Sequence, residues 1–201
     1  MPKYEDGILL LQTYIRWIYP DYPVLDPPSL YGALSALYSS SSYNLNDEPV
    51  LPNGWPTALE PFHWNGQTVQ PALPNGECPP MPVVAFTMFM VFNISAIIKV
   101  RSRVYEYSPE RYYRLATRFS ADCFSQVSLA SIQALTLHIV HCLHTPAEAS
   151  VWTLIHVGMA HCVELGLHRE PGPGNTDQAA VQQVKRLVFY TYYGLDRYGI
   201  I

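Results

Sequence analysis

Charge is scarce in this chain. Asp, Glu, Lys and Arg make up 14% of its 201 residues, against roughly 25% in an average soluble protein. Hydrophobic residues reach 49%, and a chain kept wholly disordered needs the opposite balance. Positive charge is scarcer still. Twelve Lys and Arg stand against sixteen Asp and Glu, a net charge of −4. A mildly acidic chain lacks the positive field that gathers phosphates, so nucleic-acid binding by this chain alone is not expected. Cysteine is sparse and scattered: Cys78, Cys123, Cys142 and Cys162 form no CxxC or CxxH pair. A structural zinc site built on them is therefore not expected. Three of the four fall in apolar helical patterns, where reduced, buried thiols are expected. The opening Met-Pro-Lys-Tyr-Glu-Asp-Gly lacks the charged, apolar and small-residue regions of a secretory leader.

Motifs that carry chemistry are missing too. GxSxG and HExxH do not occur, so neither a serine-hydrolase elbow nor a zinc-protease helix is indicated. Gly172 and Gly174 are separated by Pro173, which has no N–H with which to cradle a phosphate. Six of seven histidines lie between His138 and His168. His138 and His141 are one turn apart and could share a metal, with His161 approaching from a facing helix. His144 lies about 240° further round than His138 and cannot join them. The nearest carboxylates, Glu148 and Glu164, fall at helix ends. A metal centre is not expected.

What is present is apolar periodicity of helical type. Ile8, Leu11, Ile15 and Ile18 predict one face of a helix over 4–19. Asp26 before Pro27 and Pro28 predicts the cap of a second helix through Leu37. The stretch 44–82 differs: nine prolines, no sustained period, and Leu-Pro-Asn-Gly at both 51–54 and 73–76. It reads as an irregular loop or insert, either disordered or pinned by Trp55, Phe62 and Trp64. From Val83 onward the chain reads as helical. The apolar run Pro82 to Ile98 is 17 residues long and interrupted by Asn93 and Ser95. That is the lower edge of what spans a bilayer, and a buried core helix is expected instead. Ser108-Pro109-Glu110 starts another helix, on which Arg111, Arg114 and Arg118 form a solvated face. Ser128 caps the next, with Leu129, Ile132, Leu135, Ile139 and Leu143 inward. Thr145-Pro146-Ala147-Glu148 predicts a capping box opening a helix over 146–166, with Val151, Leu154, Ile155, Cys162 and Leu165 inward. The two helices would then be antiparallel neighbours. A last helix, capped at Thr176 or Asp177, carries Val181, Val184, Val188, Tyr192 and Leu195. The expected fold class is all-α: antiparallel helical hairpins in a multi-helix bundle, with the Pro-rich loop. Its parts are 1–43, the loop 44–82, and the main helical part 83–201.

Four ordered motifs in the second half resemble the fungal-specific transcription factor domain, the middle region of fungal zinc-cluster regulators. Ser128–Leu135, with Gln133, is similar to the family's "sl-x-x-iQal" helix. Trp152-Thr153-Leu154 is similar to its "W-x-L". Glu164-Leu165-Gly166-Leu167-His168-Arg169 resembles its "ELGLHR", and Lys185–Arg197 its "rRvFW-x-x-Y-x-lDR". Leu10–Leu37 resembles the domain's opening segment more weakly. Ala160 and Tyr190 stand where the family often has arginine and usually tryptophan.

The resemblance implies a non-catalytic regulatory domain that works in the nucleus through other regulators, a second copy of itself, or a small-molecule effector. The motif residues Gln133, Trp152, Gly166, Leu167, His168, Arg169, Arg186, Asp196 and Arg197 are expected to be structural. Leu165 and Leu167 are expected to bury beside Gly166, and Lys185-Arg186 and Asp196-Arg197 to pair across the bundle with groups such as His168-Arg169. No cofactor is expected in this chain, since zinc would belong to a six-cysteine DNA-binding cluster that the sequence does not contain. The family domain normally runs on past "lDR", so the chain reads as a fragment, a truncated gene product or a shortened paralogue. The alternatives are a stand-alone helical interaction module and a small-molecule sensor with an interhelical pocket lined by aromatics and histidines.

Overall fold

The computed structural model describes residues 1–42, 49–73, 78–104, 106–146, 149–170 and 178–198. Its elements are α1 (Tyr4–Trp17), α2 (Pro27–Ser42), β1 (Phe62–Trp64), β2 (Gln67–Val69), α3 (Met81–Arg101), α4 (Pro109–Thr117), α5 (Ser120–Cys123), α6 (Leu129–His144), α7 (Val151–Glu164) and α8 (Ala179–Tyr198). The architecture is all-α apart from the antiparallel β1–β2 hairpin.

Helix α3 is the axis of the fold. Every residue from Val83 to Ala96 is buried, and α1, α2, α4, α5 and α6 all pack on it. It is long and apolar enough to cross a membrane by length and composition. Here its apolar surface is covered by neighbouring helices, as expected of a core helix. Two of its polar residues have partners within the fold. Ser95 Oγ donates to the Leu10 carbonyl at 2.8 Å, and Asn93 Nδ2 to the Pro109 carbonyl at 2.9 Å. At the far end Arg101 Nη1 donates to His144 Nδ1 at 3.0 Å, tying the end of α3 to the end of α6.

In α1 the buried stripe is Gly7, Leu10, Leu11, Tyr14 and Ile18, while Ile8 and Ile15 are only partly covered. The helix is thus rolled by about half a residue spacing from the predicted face. Gly7 explains the roll, since its missing side chain lets α1 settle against Leu34, Tyr38 and Phe92. Asp26 caps α2 as predicted, accepting from the Ser29 N–H at 3.2 Å. The helix runs beyond Leu37 to Ser42.

The Pro-rich stretch is pinned at Trp55, Phe62 and Trp64, all buried. Trp55 and Trp64 are among the most deeply buried side chains of the molecule. The Trp55 indole N–H donates to the Pro79 carbonyl at 2.8 Å. Part of the stretch is regular: β1 and β2 turn through Asn65 and Gly66, both at positive φ. Asn-Gly is the strongest short hairpin signal there is. The surrounding prolines mask it in the sequence. Gly32 on α2 lies so close to β1 that a β-carbon there would come within 2.5 Å of the His63 carbonyl oxygen.

In the second half, Ser128 and Ser131 form a reciprocal capping box at the start of α6. Ile132, Leu135 and Ile139 are buried as predicted, Leu129 and Leu143 only partly. Thr145 does not open α7. It closes α6, donating its N–H to the His141 carbonyl, and α7 begins at Val151 with Ser150 as cap. Ala147 and Glu148 of the predicted box lie outside the described residues, as do Thr176, Asp177, Gly172 and Gly174. Helices α6 and α7 do pack together, and α7 packs on α8. Helix α8 buries Val181, Val184, Val188, Tyr192 and Leu195, the predicted stripe.

Candidate interaction face

The outer face of the α7–α8 pair is held by two local devices. The first is Gly158 on α7. The Tyr192 ring of α8 lies directly over it, where a β-carbon would stand 2.0 Å from a ring atom. The Tyr192 hydroxyl passes beneath α7 and donates to the Ile132 carbonyl of α6 at 3.2 Å. Burial pushes this phenol far above the usual tyrosine range. The second device is the end of α7. Gly166 takes φ +68°, which a residue with a side chain adopts at a cost. Its N–H donates to the Val163 carbonyl at 3.0 Å, and the Leu167 N–H donates to Cys162 at 2.9 Å. This is the Schellman pattern, sealed by Leu167 against the end of the helix. Leu167 is buried, but Leu165 is not, because the cap turns it outward.

These devices present Trp152, His156 and Val163 from α7 and Phe189, Tyr190, Tyr193, Asp196 and Arg197 from α8. The Trp152 and His156 rings are 4.0 Å apart. His156 Nε2 lies 3.7 Å from Asp196 Oδ1. The Arg197 guanidinium sits over the Tyr193 ring at 5.5 Å. Phe189 touches Tyr190, Tyr193 and His168, with centroids 5.7, 6.4 and 6.5 Å apart. Arg169 Nε donates to His168 Nε2 at 3.1 Å, and Arg186 pairs with Glu170 at 2.6 Å. The motif residues Trp152, His168, Arg169, Arg186, Asp196 and Arg197 therefore gather on one side of two helices. The pairing expected across the bundle is specified differently: Arg186 meets Glu170, and Asp196 meets His156.

Gln133 belongs elsewhere. It is fully buried and donates through Nε2 to the Val24 carbonyl at 2.6 Å and to Asn65 Oδ1 at 2.8 Å. It accepts from Asn65 Nδ2 at 3.1 Å. Asn65 N–H donates to Ser29 Oγ at 2.7 Å, and Ser29 donates in turn to Asp26. This run of amides and hydroxyls fastens the hairpin turn to α2 and α6. Sequence reasoning had no signal for its distant partners.

The histidines do not converge on a metal: no group of three or more His, Cys, Asp or Glu is set to hold one among the described residues. His138, His141 and Tyr113 stack instead. Asn93 presents Nδ2 to a carbonyl, so its Oδ1 must accept from His141 Nδ1–H, at 2.7 Å. His161 pairs with Glu164, on the α6 side of α7. All four cysteines are free and buried. Burial pushes the Cys78 thiol up to about 11 and those of Cys123 and Cys162 up to about 12, which keeps them protonated and poorly nucleophilic. Arg111, Arg114 and Arg118 are exposed, as a solvated face should be.

A groove of about 810 Å³ runs between the Pro-rich stretch and α5, lined by Leu51, Pro71, Leu73, Cys78, Val83 and Cys123 among others. Among the described residues, no aromatic side chain or histidine lines it. A smaller cavity of about 140 Å³ lies between α6 and α7, lined by Phe124, Val127, Ile132, Leu135, Val157 and His161 among others.

Comparison with known proteins gives a family match along most of the chain. The sequence model of a family described as the fungal specific transcription factor domain matches residues 11–198. "Activator of stress genes 1" of Saccharomyces cerevisiae (strain ATCC 204508 / S288c) is 28% identical over 120 residues, which cover 59% of this chain and 12% of that protein. The matched region is thus a small share of the yeast relative's length. No solved structure matches.

Proposed function

Because the chain belongs to the fungal specific transcription factor domain family, we propose that it is the non-catalytic regulatory region of a transcriptional regulator, at work in the nucleus. One observation carries the reading. The motif residues Trp152, His168, Arg169, Arg186, Asp196 and Arg197 line an outward face. Outward-facing tryptophan, tyrosine and arginine are the residue types that dominate protein–protein contacts. The same arrangement gives no nucleophile–base pair and no convergent set of donors on which a reaction could be built. Residues 1–43 and 83–201 act as one domain, with 44–82 inserted between them.

The experiment is a tethering assay. The chain is fused to a heterologous DNA-binding domain in a fungal cell, and a reporter is read. Reporter output should change severalfold relative to the DNA-binding domain alone, and Trp152→Ala should return it toward that baseline. An unchanged reporter with soluble, nuclear fusion protein would overturn the reading. The unfused chain should not shift a DNA probe sequence-selectively at physiological salt, given its net charge of −4.

A further inference from the structure

We propose that the cavity between α6 and α7 binds a small, uncharged, single-ring aromatic molecule carrying a hydroxyl group. The ring would fill the cavity, and its O–H would be donated to His161. The site goes beyond the regulatory reading and does not depend on it, because its walls alone define the ligand. Size is the first ground. The cavity holds about 140 Å³, and one of about 150 Å³ lined by aliphatic and aromatic side chains takes up a benzene ring. Its floor is Ile132 and Leu135 of α6, both buried. Phe124 and Val157 frame its mouth and are 41% and 42% exposed. A ligand can therefore enter without either helix unfolding, and it covers apolar surface now open to water. The Phe124 ring is held edge to face by Phe86, with centroids 5.1 Å apart, so that wall is set before a ligand arrives.

Polarity is the second ground. His161 Nδ1 lies 3.2 Å from Glu164 Oε2. A carboxylate oxygen only accepts, so Nδ1 carries the proton and Nε2 of the neutral ring offers a lone pair. Glu164 does not line the cavity. The ring edge bearing Nδ1 is turned to it, which leaves the opposite edge, with Nε2, for the cavity. Nε2 makes no hydrogen bond among the described residues. The Ser131 hydroxyl, also on the wall, is occupied in the capping box. It accepts from the Ser128 N–H at 2.8 Å and donates to the Ser128 carbonyl at 2.9 Å. Gln126 is exposed. His161 is thus the one acceptor that a second side chain holds in place on these walls.

Charge narrows the ligand further. No Lys or Arg lines the cavity among the described residues, and the Glu164 carboxylate beside His161 repels an anion. A carboxylate ligand is therefore disfavoured. An ammonium would give up its water against a mostly apolar wall with no carboxylate on it, which costs far more than placing a neutral group there. A neutral O–H donor needs one acceptor and brings no charge. Water alone is held weakly by walls of this kind, and an apolar group that displaces weakly held water gains affinity. The groove beside Cys78, at about 810 Å³, is several times too large for one ring.

The test titrates the full chain with phenol, toluene and benzoate by calorimetry at pH 7. Phenol should bind saturably with a Kd at or below about 1 mM. Toluene, which lacks the donor, should bind about fivefold more weakly, and benzoate more weakly than phenol. Val157→Phe narrows the mouth and should weaken phenol binding by about tenfold or more. His161→Phe keeps a ring but removes the acceptor, so phenol should fall to the level of toluene. Val157 is exposed and His161 only partly buried, so circular dichroism should be unaltered by either change. If one variant misfolds, the other still decides. Three outcomes would overturn the proposal. The first is no saturable binding of phenol up to about 5 mM. The second is toluene or benzoate binding as tightly as phenol. The third is phenol binding that ignores both variants, which would place the ligand elsewhere on the molecule.

Discussion

Gln133 satisfies both of its amide hydrogens and its carbonyl inside the core. Leucine fills a similar volume but strands the Val24 carbonyl and both ends of the Asn65 amide. Each stranded buried group costs about 1–3 kcal/mol, so Gln133→Leu should lose roughly 3 kcal/mol in urea unfolding at pH 7. A loss below about 0.5 kcal/mol would show that the network does not hold the hairpin. His144 makes a pH prediction. Burial first, and the neighbouring Arg101 guanidinium second, hold its pKa below the ordinary histidine value. The guanidinium donates to Nδ1, so the neutral ring is the form the fold accepts. The unfolded chain takes up a proton near pH 6.5 and the folded chain only at lower pH. Stability from this site is therefore full above about pH 6.5 and is lost as pH falls through the folded value. His144→Asn keeps an acceptor for Arg101 without titrating. Its melting temperature should fall less steeply between pH 7 and pH 5 than that of the unaltered chain, and equal slopes would refute the assignment.

At the scale of elements, the contest between two caps for α7 can be measured. Ser150 accepts from the Thr153 N–H at 3.4 Å, while Thr145 sits at the end of α6. Ser150→Ala should cost about 1 kcal/mol by thermal unfolding. Thr145→Ala should cost clearly less, and the reverse order would restore the earlier start. Most helices were legible because their signals are local. The caps at Asp26, Ser108 and Ser128 and the stripe of α8 need only a few neighbouring residues to be recognised. The start of α7 was misplaced because Thr-Pro-Ala-Glu satisfies a local rule. Thr145 instead closes α6, and Ser150 caps α7. The roll of α1 was not legible either, since it depends on Gly7 meeting Phe92 of a helix far along the chain. The candidate face shows the same division. Its residues stand out as motifs, but their common outward side follows from the way Tyr192 crosses Gly158.

At the scale of the whole molecule, the Pro-rich stretch is a wall of the core. Trp55 is fully buried, with its ring against Phe62 and its N–H on Pro79. Trp55→Ala should cost about 3–5 kcal/mol, read as a drop in urea midpoint and a loss of buried tryptophan fluorescence. A midpoint within experimental error of the unaltered chain would mean that the stretch is dispensable. Its role was hidden from sequence because the contacts that pin it are non-local, whereas proline content speaks only of backbone. The polar network has a further consequence, for the time at which the protein can become folded on the ribosome. The Val24 carbonyl waits for an amide 109 residues downstream, and the Leu10 carbonyl for a hydroxyl 85 residues on. At about 5–20 residues per second, the first of these gaps corresponds to roughly 5–20 s of synthesis. Through that interval Trp55, Trp64 and the apolar length of α3 are made before α6 can close over them. The nascent chain is thus a client for whatever shields emerging apolar segments, and its yield in a cell is set by that escort as much as by the stability of the finished fold.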